Sequence, residues 1–145
     1  MNAKFNTEGA ENQRGHRDME QLNKLTEQII GAAMRVHTAL GPGLLESAYE
    51  ACLAYELAKT GLAVERQKRL PITYGDLELE EGYRIDLLVE KTVIVELKAI
   101  TRIEDIHQAQ LLSYLRLSGC EVGLLINFHV RHLREGVHRV INTRS

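Results

Sequence analysis

Residues 83–100, YRIDLLVEKTVIVELKAI, constrain the fold more than any other stretch. Two apolar, β-branched runs flank a short polar break, and they carry Asp86, Glu96 and Lys98 among residues that favour burial. Runs of this kind about a short break predict a β-hairpin around Glu90, Lys91 and Thr92. Alternate side chains of a strand point to opposite faces. Ile94, Glu96 and Lys98 therefore share one face, and Val93, Val95 and Leu97 the other. In the first run Arg84, Asp86 and Leu88 oppose Tyr83, Ile85, Leu87 and Val89. Pairing Val89 with Val93 sets Asp86 opposite Glu96 and Arg84 opposite Lys98. A slip of one residue would put the two acids on opposite faces, so the arrangement requires an odd-length loop or a bulge.

Directly opposed residues have Cβ atoms roughly 4.5–5.5 Å apart, and like charges there destabilise the pair. A divalent cation turns that penalty into a binding site, since magnesium takes one or two carboxylates together with waters and substrate phosphates. Lys98 follows Glu96 on the same face, about 6–7 Å along the strand, within reach of the same phosphate or water. The competing reading is a solvated hairpin face. Acids make up 20 of the 145 residues, so this spacing arises by chance often enough that the rest of the chain has to decide.

A chain of 145 residues is long enough for one domain with its own core. The formal charge of −2 gives no global nucleic-acid signature, although local basic patches can be masked by acids elsewhere. Cys52 and Cys120 lack metal-ligand spacing and read as reduced thiols packed among apolar residues. With no signal-like run and no stretch long enough to span a membrane, the expected location is the cytoplasm and no membrane partner is implied.

In chain order, residues 1–21 have no apolar period and read as a mobile tail; residues 22–145 form the domain. Leu22, Leu25, Ile29, Ala33, Val36 and Leu40 predict an amphipathic helix over 22–40, with Asn23 as its cap and His37 packed rather than ligating. Gly41, Pro42 and Gly43 break the chain. A second helix over 44–60 has Leu45, Tyr49, Cys52, Leu53 and Leu57 on its apolar face. Helical spacing puts Glu46 beside Tyr49 and Leu53, where the helix dipole stabilises a first-turn acid by about 0.3–1 kcal/mol; the alternative is a helix-end acid facing water.

A strand over 64–74 is expected at a sheet edge because of Pro71, followed by a turn at Gly75 and Asp76 and a strand over 77–80. Arg66, Lys68 and Arg69 there protect an edge or touch a phosphate backbone. Over 104–118 a helix places Ile106, Gln110, Ser113, Tyr114 and Leu117 along one face, with Leu111, Leu112 and Leu115 widening it. Gln110 and Tyr114, four apart, can orient a water or a phosphate, or cap a sheet edge. Strands are expected over 121–128 and 137–142. Arg131, His132, Arg134, His138, Arg139 and Arg144, against the single acid Glu135, form a basic flank that is either a phosphate contact or solvated surface.

Taken together these residues resemble a known family. Gly43-Leu44-Leu45-Glu46-Ser47-Ala48-Tyr49 is similar to the signature of the GxxExxY proteins. Asp86, Glu96-Leu97-Lys98 and the segment from Gln110 to Tyr114 resemble the PD-(D/E)XK nuclease motifs, including the Q-x-x-x-Y helix of RecB-like members. The resemblance implies a restriction-endonuclease-like α/β core, a mixed and mostly antiparallel sheet flanked by helices. It also implies a metal-dependent nuclease acting on DNA, with RNA as the alternative substrate. Asp86 and Glu96 would bind Mg2+ or Mn2+, joined by the Leu97 carbonyl and by Glu46; Lys98 would stand beside the attacking water, and Gln110 and Tyr114 would shape the phosphate and water positions. Ile85 stands where the superfamily's name has proline. Two other readings compete. One is a non-catalytic nucleic-acid or protein-binding module that retains the fold. The other is an interaction domain with a merely acidic surface, which requires Asp86 and Glu96 to face opposite sides of the sheet.

Overall fold

A computed structural model describes residues 8–80 and 82–143, with side chains from Met19 onward. Helices α1 (Glu8–Leu40), α2 (Glu46–Lys59) and α3 (Asp105–Ser118) alternate with strands β1 (Val64–Arg69), β2 (Ile72–Tyr74), β3 (Leu77–Leu79), β4 (Arg84–Val89), β5 (Val93–Lys98), β6 (Val122–Asn127) and β7 (Val137–Ile141). Five strands form one sheet in the order β1-β4-β5-β6-β7. All its neighbours are antiparallel except β5 and β6. A parallel pair needs a long crossover, and α3 is that crossover. The expected mixed, mostly antiparallel α/β core is what the chain forms. Among the described residues no helix is long and apolar enough to cross a membrane.

The central hairpin has the expected register, Val89 pairing with Val93 and Leu87 with Val95. Its turn holds Glu90 and Lys91 at φ of 53° and 57°, a conformation that costs a non-glycine residue about 1–3 kcal/mol. A double contact with Ala63 offsets the cost: the Glu90 N–H donates to the Ala63 carbonyl at 2.8 Å, and the Ala63 N–H donates to Glu90 Oε2 at 2.6 Å.

Each face of the sheet carries its own core. Leu87, Val89, Val93, Val95, Leu97, Leu124 and Ile126 pack against α1 and α2 through Ile29, Ala33, Tyr49 and Leu53. Leu88, Ile94 and Leu125 pack against Leu111, Tyr114 and Leu115 of α3. Covered on both sides, β6 is buried at all six positions, as strands with two packed faces are. A Cβ at Gly123 would lie 2.8 Å from Leu111 Cδ1, so glycine there lets α3 close on the sheet.

Several expectations are corrected. α1 begins at Glu8, not at Leu22, so residues 8–21 of the expected tail are helical; residues 1–7 lie outside the described residues, as does Arg144 of the basic flank. Asn23 is internal to α1 rather than its cap, and its Oδ1 accepts from Arg139. The expected strand over 64–74 divides around Leu70 and Pro71, because proline has no N–H to continue the ladder; β2 then pairs only with β3, through the turn at Gly75 and Asp76. Leu45 is 77% exposed, and on α3 so is Ile106 at 70%, since α3 meets the sheet along the narrower stripe of Leu111, Tyr114 and Leu115. Leu117 is exposed as well. His37 is buried as a packed histidine, its Nε2 2.8 Å from the Val130 carbonyl. Both cysteines are free and half-buried.

Tyr49 fixes the link between α1 and α2. Its ring stacks on Phe128 with centroids 4.4 Å apart, while its hydroxyl accepts the Leu44 N–H at 3.0 Å and donates to the Gly41 carbonyl. Tyr49→Phe keeps the stacking and strips both backbone groups of their partner. It is expected to lower unfolding free energy in urea by about 1–3 kcal/mol, and a change near zero would show that the loop is held by other contacts.

Candidate active site

The ladder between β4 and β5 stops at Leu87 and Val95, one step before Asp86 meets Glu96. From there side chains replace the backbone: the Asp86 N–H donates to Glu96 Oε2 at 2.9 Å, and the Leu97 N–H donates to Asp86 Oδ2 at 2.8 Å. Each acid thus engages the main chain of the other's strand, which brings the two acids to one level of the sheet. Strict alternation also breaks here. Ile85, expected on the face of Leu87 and Val89, packs instead with Leu88 and Ile94. Across from Asp86, Gln67 of β1 has φ 52° and drops out of the pairing between Arg66 and Lys68. Two neighbouring strands, β1 and β4, depart from regular geometry at one level, while β5 keeps its register with β6.

Burial sets the electrostatics. Glu96 is only 6% exposed, and loss of hydration, followed by the charge of Asp86, pushes its carboxyl up to about 8 against the opposing pull of the Asp86 N–H and Lys98. Asp86 is raised as well, first by burial and then by the charges of Glu50 and Glu46, with the Leu97 N–H working in the other direction. Lys98 is half-buried and makes no ion pair among the described residues. Its ammonium is therefore the cation available to whatever negative charge enters beside Glu96.

α2 contributes two acids, four residues apart and so on the same helical face. Glu46, for which the sequence leaves an inward and a water-facing placement both open, is exposed; its Oε2 accepts the Ala99 N–H at 3.3 Å, just past Lys98. Glu50 is the buried one. Its Oε1 accepts from Gln67 Nε2 at 2.8 Å and its Oε2 from Arg66 Nε at 3.1 Å, while the same Gln67 amide reaches Asp86 Oδ1 at 3.3 Å. Sequence reasoning misses both Glu50 and Gln67. The available signal for Glu50 is a mid-helix acid beside the inward-facing Tyr49 and one turn after Glu46; Gln67 carries no signal outside the strand distortion itself.

From the other face, α3 brings Tyr114 and Gln110. Burial and then the Glu96 charge raise the Tyr114 phenol, Gln110 Nε2 donates to its oxygen at 3.2 Å, and Tyr83 meets its ring edge-on at 6.4 Å. Asn127, also missed, is buried at the end of β6 and holds the exit of β5: its Oδ1 accepts the Ile100 N–H at 3.1 Å and its Nδ2 donates to the Ile100 carbonyl at 2.9 Å.

All the expected side chains thus gather near the ends of β4 and β5. Among the described residues, no three of His, Cys, Asp and Glu already converge as a metal cage. The donor set is nonetheless oxygen-only, with two adjoining carboxylates that each keep one oxygen outside the Asp86–Glu96 exchange, which suits a hard cation that retains waters.

A family model described as the PD-(D/E)XK nuclease superfamily matches residues 23–140. Neither a curated protein nor a solved structure matches the chain.

The raised Glu96 has a consequence for stability. In the unfolded chain it ionises in the ordinary glutamate range, whereas the folded chain retains the proton up to about pH 8. The folded state then binds more protons between these limits, so this group's contribution is complete at low pH and is lost as pH rises through that window. Glu96→Gln removes the titration while its amide oxygen can still accept the Asp86 N–H. Thermal melting followed by circular dichroism is expected to show the variant gaining on the wild type from pH 5 to pH 8.5, and a difference independent of pH would contradict the assignment.

Proposed function

The chain belongs to the PD-(D/E)XK nuclease superfamily, and on that premise we propose that it hydrolyses phosphodiester bonds in DNA, with RNA as the alternative substrate, in a metal-dependent reaction. The observation that carries this reading is the pair of crossed bonds, from the Asp86 N–H to the Glu96 carboxylate and from the Leu97 N–H to the Asp86 carboxylate, which holds two partly buried acids at one level beside Lys98, a cation without an ion pair among the described residues.

Asp86, Glu96 and the Leu97 carbonyl would hold Mg2+ or Mn2+, with Glu46 or Glu50 as a further acid from α2. Bound there, the ion would neutralise the phosphate and lower the pKa of an attacking water. The Leu97 N–H faces Asp86, and main-chain groups of one strand residue point to the same side, so its carbonyl is directed toward the gap that the interrupted ladder leaves. Lys98 orients the attacking water or offsets charge that develops on the phosphate oxygens, as a preorganised cation does. The Tyr114 hydroxyl, already accepting from Gln110, has its proton free to donate to a phosphate oxygen or water. Glu50 is braced by Arg66 and Gln67 and, through the Gln67 amide, steadies Asp86. The Gly43–Tyr49 resemblance to the GxxExxY proteins fits a structural role for its tyrosine, which ties down the loop that delivers Glu46.

A second reading, a non-catalytic binding module, is favoured by one observation: Asp86 and Glu96 each commit an oxygen to a backbone N–H. Metal separates the two readings, because the module would bind none.

Linear, nicked, branched and single-stranded DNA, and RNA of matching sequence, incubated with Mg2+ or Mn2+, are expected to be cut, with EDTA abolishing the reaction. Lys98→Ala is expected to slow cutting about 10²–10³-fold with little effect on melting. Activity that persists at the wild-type level in both Lys98→Ala and Glu96→Ala preparations would identify a contaminant and overturn the proposal.

A further inference from the structure

We infer that the cleft between the end of α1 and the loop that leaves β6 is a phosphate track, binding the backbone of the nucleic-acid strand that runs into the site; this rests on the nuclease reading above. The cleft has a volume of about 510 Å³ and is lined by His37, Thr38, Pro42, Arg131, His132 and Arg134 among others.

The cleft is continuous with the site along the chain on both of its walls. On one wall the Phe128 N–H donates to the Lys98 carbonyl at 2.8 Å, and Arg131 lies three residues further on, a span of at most about 10 Å. On the other, Gly41 and Pro42 precede Glu46 and are tied down through Tyr49. The two walls are joined directly. His129 Nδ1 donates to the Pro42 carbonyl at 3.1 Å and His37 Nε2 to the Val130 carbonyl at 2.8 Å, a carbonyl being able only to accept. Behind the arginines the chain folds back so closely that a Cβ at Gly136 would collide with the Asn127 carbonyl. Arg131 therefore projects from a braced loop and Arg134 from the 3-10 turn Leu133–Gly136 that follows it, and no large reorganisation is needed to present them.

Charge points the same way. Arg35, Arg66 and Arg69 are all ion-paired, to Glu56, Glu50 and Glu80. Arg131 and Arg134 are exposed and make no ion pair or side-chain hydrogen bond among the described residues, although the chain as a whole carries a formal charge of −2. Meanwhile the acids gathered at the site, Glu46 foremost among the exposed ones, oppose an incoming polyanion. Screening limits attraction to within roughly 8–10 Å at ordinary salt, so cations that offset this repulsion have to stand close by; Arg84 and Arg102 are also exposed and without an ion pair among the described residues, but Arg131 and Arg134 are the two that line one cleft. Two arginines set along a loop match successive phosphates of one strand better than a single small anion.

Phosphate contacts release counterions and carry no sequence information, which fixes the test. Binding of two fluorescent oligonucleotides of unrelated sequence is measured by anisotropy between 50 and 200 mM salt, in EDTA so that nothing is cut. Replacing both residues, Arg131→Ala with Arg134→Ala, is expected to weaken binding of both oligonucleotides alike and to reduce the slope of log affinity against log salt by about 1.4–1.8. The doubly conservative Arg131→Lys with Arg134→Lys is expected to retain most of the slope. An unchanged slope in the alanine variant, a loss confined to one sequence, or an equal loss in the lysine variant would each overturn the phosphate track while leaving the nuclease reading intact. Absence of binding by the wild-type chain at 50 mM salt would also overturn the phosphate track, without bearing on the metal-dependent reaction.

Discussion

Asp86 and Glu96 hold β4 and β5 together at the point where the backbone ladder between these strands ends. Each carboxylate accepts an N–H that the neighbouring strand's carbonyl would otherwise take. The exchange keeps buried donors satisfied and keeps two acids adjacent despite their repulsion. The distortion of Gln67 and the inverted packing of Ile85 lie at the same level, so β1 and β4 share the irregularity that opens the sheet beside β5.

The placement of α2 and α3 follows from this opening. α2 lies over one face and brings Glu46 and Glu50; α3 lies over the other and brings Gln110 and Tyr114. Asn127 fixes the chain where β5 leaves the sheet. Four acids beside Lys98 and Arg66 is an arrangement that stability alone does not favour, since burial and like charge both raise Asp86 and Glu96. Such opposition between stability and local chemistry is typical of functional sites. The Ala63–Glu90 contacts and the Tyr49 clamp, both away from the acids, hold the frame against it.

Local periodicity alone makes the hairpin legible in the amino-acid sequence: a three-residue break between two β-branched runs admits one register that buries both apolar faces, and that register opposes Asp86 to Glu96. The same logic fails for Ile85, because alternation assumes an uninterrupted pleat and the interruption comes from tertiary hydrogen bonds. Glu50 escapes notice for a related reason. Its burial depends on Arg66 and Gln67 of a strand beyond the end of α2, and helical spacing does not report a partner from another element. The strand over 64–74 lies at the sheet edge as expected, and it splits because Pro71 also terminates it. α1 extends past Leu22 without an apolar period to announce it, which pattern counting cannot detect.

The central claim is that Asp86 and Glu96 form a metal-binding pair at the opening of the sheet. Anomalous diffraction from crystals soaked in Mn2+ near pH 8 tests it most directly. The account predicts a peak bounded by the Asp86 and Glu96 carboxylates and the Leu97 carbonyl, with a carboxylate of α2 on its far side. Mn2+ absent from that position, with both carboxylates still bonded only to the Asp86 and Leu97 N–H groups, would contradict it.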